Sequence, residues 1–146
     1  MKVKQLSLFL ENKPGNLSRP VQLLAQARLN ILTLCLADTQ HFGILRLILR
    51  DSDQAKSLLE AQGFIVKETD ILVVEVPDKP GGLAEILVAI TNAGLNVEYM
   101  YGFTVKNESR ALLAFRFDDP DAAGKVLAQQ GINPIKASQL FEALSQ

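Results

Sequence analysis

Apolar and polar residues are set out along this chain in an order that occurs twice. Leu6, Leu8 and Leu10 recur at a period of two, which predicts a strand with one buried face. A Lys-Pro-Gly turn follows. Leu17, Val21 and Leu24, with Arg28 a turn further on, then step by three or four residues, the spacing of one helix face. Pro20 falls near the start of that helix, where a missing N–H does least harm. The period of two returns at Leu32, Leu34 and Leu36, and a third strand is expected over residues 43–50. Asp53 is an N-cap type that opens a second helix, and Gly63 is a C′ type that closes it. A short fourth strand is expected over 64–67.

The order then restarts. Residues 71–76 form an apolar strand, and Leu83, Leu87, Ile90 and Gly94 answer the first helix. Val97, Tyr99, Tyr101, Phe103 and Val105 alternate, and a strand is expected over 110–117. Asp121 and Gly131 bracket a helix, and a closing strand is expected over 132–137. Residues 139–146 look weakly helical, with Leu140, Phe141 and Leu144 placed to dock on a neighbour.

Aligned directly, residues 12–31 and 78–97 agree at seven of twenty positions at an offset of 66, and residues 51–63 and 119–131 agree at six of thirteen at an offset of 68. The chain is therefore two homologous units, 1–69 and 70–146, with no Gly/Ser/Pro linker between them. The order β-α-β-β-α-β is the split βαβ, or ferredoxin-like, sandwich. The expected fold class is α+β, two such sandwiches in tandem with antiparallel sheets.

Composition narrows the function. The chain has 146 residues, 48% hydrophobic and 21% charged, with 15 basic and 16 acidic side chains. That supports a packed core, and it lacks the basic excess expected of a protein that binds nucleic acid or an anionic membrane. Recognition of RNA on an open sheet face also needs aromatics on the first and third strands, and residues 71–76 hold none. Cys35 is the one cysteine and His41 the one histidine, so disulfides, CxxC motifs and multi-His zinc sites are excluded by count. Neither a signal-peptide pattern nor an apolar run long enough to span a membrane is visible, and a cytoplasmic protein is expected. His41 reads as a hairpin surface residue and Cys35 as a small buried side chain.

The feature richest in chemistry is the turn between the first strand and first helix of each unit. In unit one it comprises Asn12, Lys13, Pro14, Gly15, Asn16 and Leu17; in unit two, Asp78, Lys79, Pro80, Gly81, Gly82 and Leu83. Proline sets a tight turn, glycine permits close approach, and the amides of the following helix open a place for a carboxylate. Asn12 or Asp78 beside that opening accepts from an ammonium. Acceptors for –NH3+ beside donors for –COO− describe a site for an α-amino acid. The same residues also make a plain turn in which Asn12 or Asp78 caps its own backbone.

On these residues the chain resembles the ACT domain family of small-molecule-sensing modules, and in particular proteins built of two ACT units. The pattern is strand, (Asn/Asp)-x-Pro-Gly-x-Leu, helix, (Gly/Arg)-Leu-Asn-(Ile/Val), strand, present over 12–31 and 78–97. The resemblance implies units aligned side by side and an amino acid bound at the interface between units, lined by the Pro-Gly loop and the start of the second strand. Carried over, it adds Asn30 and Ile31, and Asn96 and Val97, to the twelve loop residues. It implies a non-catalytic sensor, a homodimer, that acts in the regulation of amino-acid metabolism with no cofactor and no metal. One departure stands out: Arg28 replaces the family's glycine, which unit two keeps at Gly94, so the two sites are expected to differ in competence. Two rivals remain: an oligomerisation module without ligand, or a small enzyme using carboxylate or lysine chemistry on the same scaffold.

Overall fold

The computed structural model describes residues 1–38, 40–104 and 110–144. Among them are β1 (Val3–Glu11), α1 (Ser18–Gln26), β2 (Ile31–Asp38), β3 (Phe42–Leu49), α2 (Ser52–Ala61), β4 (Val66–Pro77), α3 (Gly82–Asn92), β5 (Val97–Thr104), β6 (Arg110–Phe117), α4 (Pro120–Gln129) and α5 (Ala137–Leu144). The strand position expected at Val105 and the last two residues of the expected C-terminal helix lie outside the described residues.

The chain divides into two compact units. The first is Lys4–Thr69. The second is Asp70–Gln146 together with Met1–Val3, so three residues expected in the first unit belong to the second. There Lys2 Nζ lies 3.2 Å from Asp121 Oδ1 and 3.9 Å from Asp70 Oδ2.

In the first unit β3 pairs antiparallel with β1 on one side and β2 on the other. Leu6, Leu8 and Leu10 of β1 and Leu45, Leu47 and Leu49 of β3 pack with Leu24, Leu29, Ala55 and Leu59. The alternation that announces the strand thus also supplies the core, each leucine contributing about 1.5–3 kcal/mol by leaving water. The second unit repeats this, with β6 between β4 and β5. Its core is Leu72, Val74, Val76, Ile86, Ile90, Phe115, Phe117, Ala123 and Leu127. The Phe115 and Phe117 rings stack with centroids 5.5 Å apart. The α+β class and the tandem ferredoxin-like arrangement follow as expected.

Both closing strands differ from expectation. The first is not a separate short strand: β4 runs unbroken from Val66 to Pro77, through the boundary between the units. Residues 66–76 contain no glycine or proline, so nothing stops the extended backbone. The second closing strand does not form. Pro134 removes an N–H and restricts Asn133, so residues 132–136 make an irregular segment tied to β4 by Ile135 N–H to Val73 O at 2.8 Å. Helix α5 follows, with Leu140 fully buried.

The helix caps also sit two residues before the expected Asp53 and Asp121. Asp119 caps α4, its Oδ1 accepting from Ala122 N–H at 2.9 Å, and Asp51 stands at the equivalent place of α2 without a side-chain bond. Asp53 and Asp121 lie inside the first turns, where they meet Lys4 and Lys2. Cys35 is half-buried on β2 rather than enclosed in a core.

Candidate functional site

Each Pro-Gly loop is shaped by one backbone bond and one glycine. In the first unit Asn16 N–H donates to Lys13 O at 3.2 Å; in the second Gly82 N–H donates to Lys79 O at 3.1 Å. Gly15 and Gly81 take φ of 86° and 89°, the left-handed region that a side chain disfavours. The helices then close their first bonds from Arg19 N–H to Gly15 O and from Glu85 N–H to Gly81 O, both 3.1 Å. This leaves the amides of Leu17 and Ser18, and of Leu83 and Ala84, with no acceptor among the described residues. Two donors at each helix tip, backed by the helix dipole, suit a carboxylate.

The two loops differ at two positions, Asn12 against Asp78 and Asn16 against Gly82. Asn16 Nδ2 donates to Glu11 O at 3.0 Å and ties the first loop to the end of β1. Gly82, its counterpart, is buried, and a Cβ there would overlap the Pro77 carbonyl oxygen. Asn12 N–H donates to His41 O at 2.9 Å, so the hairpin histidine supports the loop through its backbone.

Charge at the first loop is balanced locally. Lys13 Nζ lies 2.7 Å from Glu11 Oε2, and this hydrogen bond lowers the Glu11 carboxyl and raises the Lys13 ammonium relative to their ordinary values. Leu17, expected on the buried helix face, is instead 43% exposed at the loop mouth, and Leu83 is 36% exposed. A small cleft of about 60 Å³ beside the first loop is lined by Leu10, Glu11, Asn12, Lys13, Leu17, Leu36, Asp38 and Gly43. Leu36 and Asp38 were not among the residues expected there. Only the strand register, which aligns Asp38 with Gly43, brings them to the loop.

The second-strand residues lie elsewhere in each unit. In the first, Glu11 is opposite Phe42 and Ile31 is opposite Leu49. Seven residues of β3 separate those levels, or about 23 Å at a strand's rise. In the second, Pro77 is opposite Arg110 and Val97 opposite Phe117, the same interval. Within a unit, therefore, the structure gathers Asn12, Lys13, Pro14, Gly15, Asn16 and Leu17 at one end and Asn30 and Ile31 at the other. It separates Asp78, Lys79, Pro80, Gly81, Gly82 and Leu83 from Asn96 and Val97 in the same way. Asn30 and Ile31 line a separate cleft of about 380 Å³ with Val21, Ala25, Arg28 and Leu29. Asn96 N–H donates to Asp118 Oδ1 at 3.1 Å, which anchors the start of β5 by its backbone.

The edge between those ends is apolar. β2 is an edge strand in its unit, and Leu34, Leu36 and the neighbouring Phe42 are exposed. No group of three or more His, Cys, Asp or Glu among the described residues is arranged to hold a metal ion. No helix of the described residues is long and apolar enough to cross a membrane.

The family model described as an ACT domain pair matches residues 1–144. The crystal structure of protein BT0572 from Bacteroides thetaiotaomicron is 37% identical, covers 97% of both chains and superposes with a TM-score of 0.90. The ligand-free regulatory subunit of aspartate kinase from Thermus thermophilus is 19% identical, covering 86% of this chain and 91% of its own, with a TM-score of 0.63. Its counterpart from Thermus flavus is 17% identical, covering 86% and 90%, with a TM-score of 0.61. These two share the fold. No curated protein matches.

Proposed function

Because this chain belongs to the ACT domain family, as an ACT domain pair, we propose that it is a regulatory sensor that binds an amino acid where ACT-like units of two chains meet. The observation that carries the reading is the pair of free amides at each helix tip, Leu17 with Ser18 and Leu83 with Ala84, each following a Pro-Gly turn next to Asn12 or Asp78. The amides receive the ligand's carboxylate, and the side-chain oxygen of Asn12 or Asp78 receives its ammonium.

The distance between the two ends of each unit supports a site shared between two chains. When two edge strands lie side by side antiparallel, the loop end of one faces the Asn30 or Asn96 end of the other. A homodimer joined at such an edge completes the pocket with an amide side chain from the second chain. Exposed Leu34, Leu36 and Phe42 favour burial of that edge. Ligand that bridges two chains then shifts the balance between assembly states through its unequal affinity for them. Resemblance to the regulatory subunits of aspartate kinases supports a place in the control of amino-acid metabolism.

Thermal unfolding of the full chain with each of the twenty amino acids at millimolar concentration tests the reading. At least one raises the midpoint, and ligand at a hundred times Kd adds about 2.7 kcal/mol of stability. Combined Asn12→Ala and Asp78→Ala abolishes the rise. If none of the twenty shifts the midpoint, the amino-acid reading is wrong.

A further inference from the structure

Four helices among the described residues end in one and the same motif. After α1, Arg28 N–H bonds Ala25 O and Leu29 N–H bonds Leu24 O. The same pair of bonds is made by Gly63 and Phe64 after α2, by Gly94 and Leu95 after α3, and by Gly131 and Ile132 after α4. This is the Schellman arrangement, whose C′ residue is left-handed. Three of the four use glycine. The fourth uses Arg28, with φ of 58°, the only non-glycine among the described residues with positive φ.

A left-handed arginine is strained where glycine would not be. A cation near a helix C-terminus is favourable, but it does not require this position. The last turn of α1 contains no basic residue, and a lysine there would serve the dipole without strain. What the C′ position adds is the cleft. Arg28 lines the space of about 380 Å³ that also holds Asn30. Its guanidinium has no hydrogen-bond or ion-pair partner among the described residues, whereas those of Arg19, Arg110 and Arg116 are all partnered. An exposed arginine that lines the same cleft as Asn30, Val21 and Leu29 suits a carboxylate bound through two parallel hydrogen bonds. In the second unit the equivalent place is Gly94, which offers no cation, and the charge beside Asn96 is the Asp118 carboxylate, whose Oδ1 accepts Asn96 N–H at 3.1 Å.

We propose that Arg28 is a specificity-determining residue. It gives the site containing Asn30 a second anion-binding point, so that this site selects a dicarboxylic amino acid while the site containing Asn96 takes a neutral one. The proposal rests on the amino-acid reading above and adds a ligand class to it.

Titration calorimetry on the full chain compares L-glutamate with L-glutamine and L-aspartate with L-asparagine, pairs that differ in side-chain charge at nearly constant shape. In the native protein one class of site prefers the acid by at least tenfold, and that preference shrinks as salt is raised. Arg28→Gly, which suits the left-handed turn and so folds, abolishes the preference and leaves neutral amino acids bound as before. Arg28→Lys keeps part of it. The proposal is overturned, with the sensor reading intact, if Arg28→Gly retains the acid-to-amide ratio or if the native protein prefers the amide. It is also overturned if Arg28→Gly alters only the dimer dissociation constant, which marks an ion pair between chains. If the native protein binds no amino acid at all, both readings fail together.

Discussion

Replacing Gly82 by alanine tests whether the second Pro-Gly loop has the shape described. Gly82 is the first residue of α3, buried against the end of β4. An added Cβ would overlap the Pro77 carbonyl oxygen and lie 3.2 Å from Val76 Cγ1. Neither neighbour moves freely: Pro77 O accepts Lys79 N–H at 2.9 Å, and Val76 belongs to the core. Relief requires the loop to lift from the strand. Overpacking of this kind costs about 1–3 kcal/mol. The Lys79 bond adds about 1 kcal/mol if it is lost. Alanine returns about 0.5–1 kcal/mol as the better helix former. The net loss is about 2 kcal/mol, which lowers a urea midpoint by about 1 M at a slope of about 2 kcal/mol/M. The matched control is Asn16→Ala in the first loop, which removes only the exposed bond to Glu11 O and costs about 0.5–1 kcal/mol. Equal midpoints for the two variants would refute the close approach and, with it, the physical reason for a glycine at that place.

Two further outcomes are expected. Asp119→Ala loses a side-chain cap and about 1 kcal/mol in urea unfolding, whereas Asp51→Ala, which has no such bond to lose, stays within about 0.5 kcal/mol of the native protein. The third concerns pH. Lys4 is raised above 10.5 by its hydrogen bonds to Asp53 and then Glu68, so its contribution is complete below that pH and is lost as pH rises through the folded value. Glu11 is lowered below 4.5 by its hydrogen bond to Lys13, so its contribution is present above 4.5 and is lost as pH falls through the folded value. In urea midpoints measured against pH, Lys4→Met flattens the alkaline limb and Glu11→Gln the acidic one. Both effects weaken in 1 M salt because the pairs are exposed. A limb that keeps its slope in the variant rejects the corresponding pair.

Some of this protein is decided by neighbours in sequence, and that part is legible without coordinates. The periods of two and 3.6 mark the strands and helices because side-chain direction follows backbone geometry directly. Gly63 and Gly131 mark helix ends because the left-handed C′ position is a local demand, whereas Gly94, expected on a helix face, proves to be a third such end. The repeat shows that both units share one plan, and the Pro-Gly turns point to the helix tips that carry the free amides. Arg28 is visible as a departure from the pattern, although its positive φ and its cleft are not.

Other features are decided by residues far apart in the chain. Whether 64–67 stops or runs on into β4, and whether 132–137 becomes a strand, depends on pairing with distant backbone. Asp53 and Asp121 have cap chemistry, yet they meet Lys4 and Lys2, which lie about 50 and 120 residues away in sequence, and Asp51 and Asp119 take the cap positions. The Pro-Gly loop and the Asn30 segment share one motif but stand about 23 Å apart, because β1 and β2 both run antiparallel to β3 and a motif contains no register. Spacing along the chain identifies the pieces of the site; only the sheet determines that no single unit brings them together.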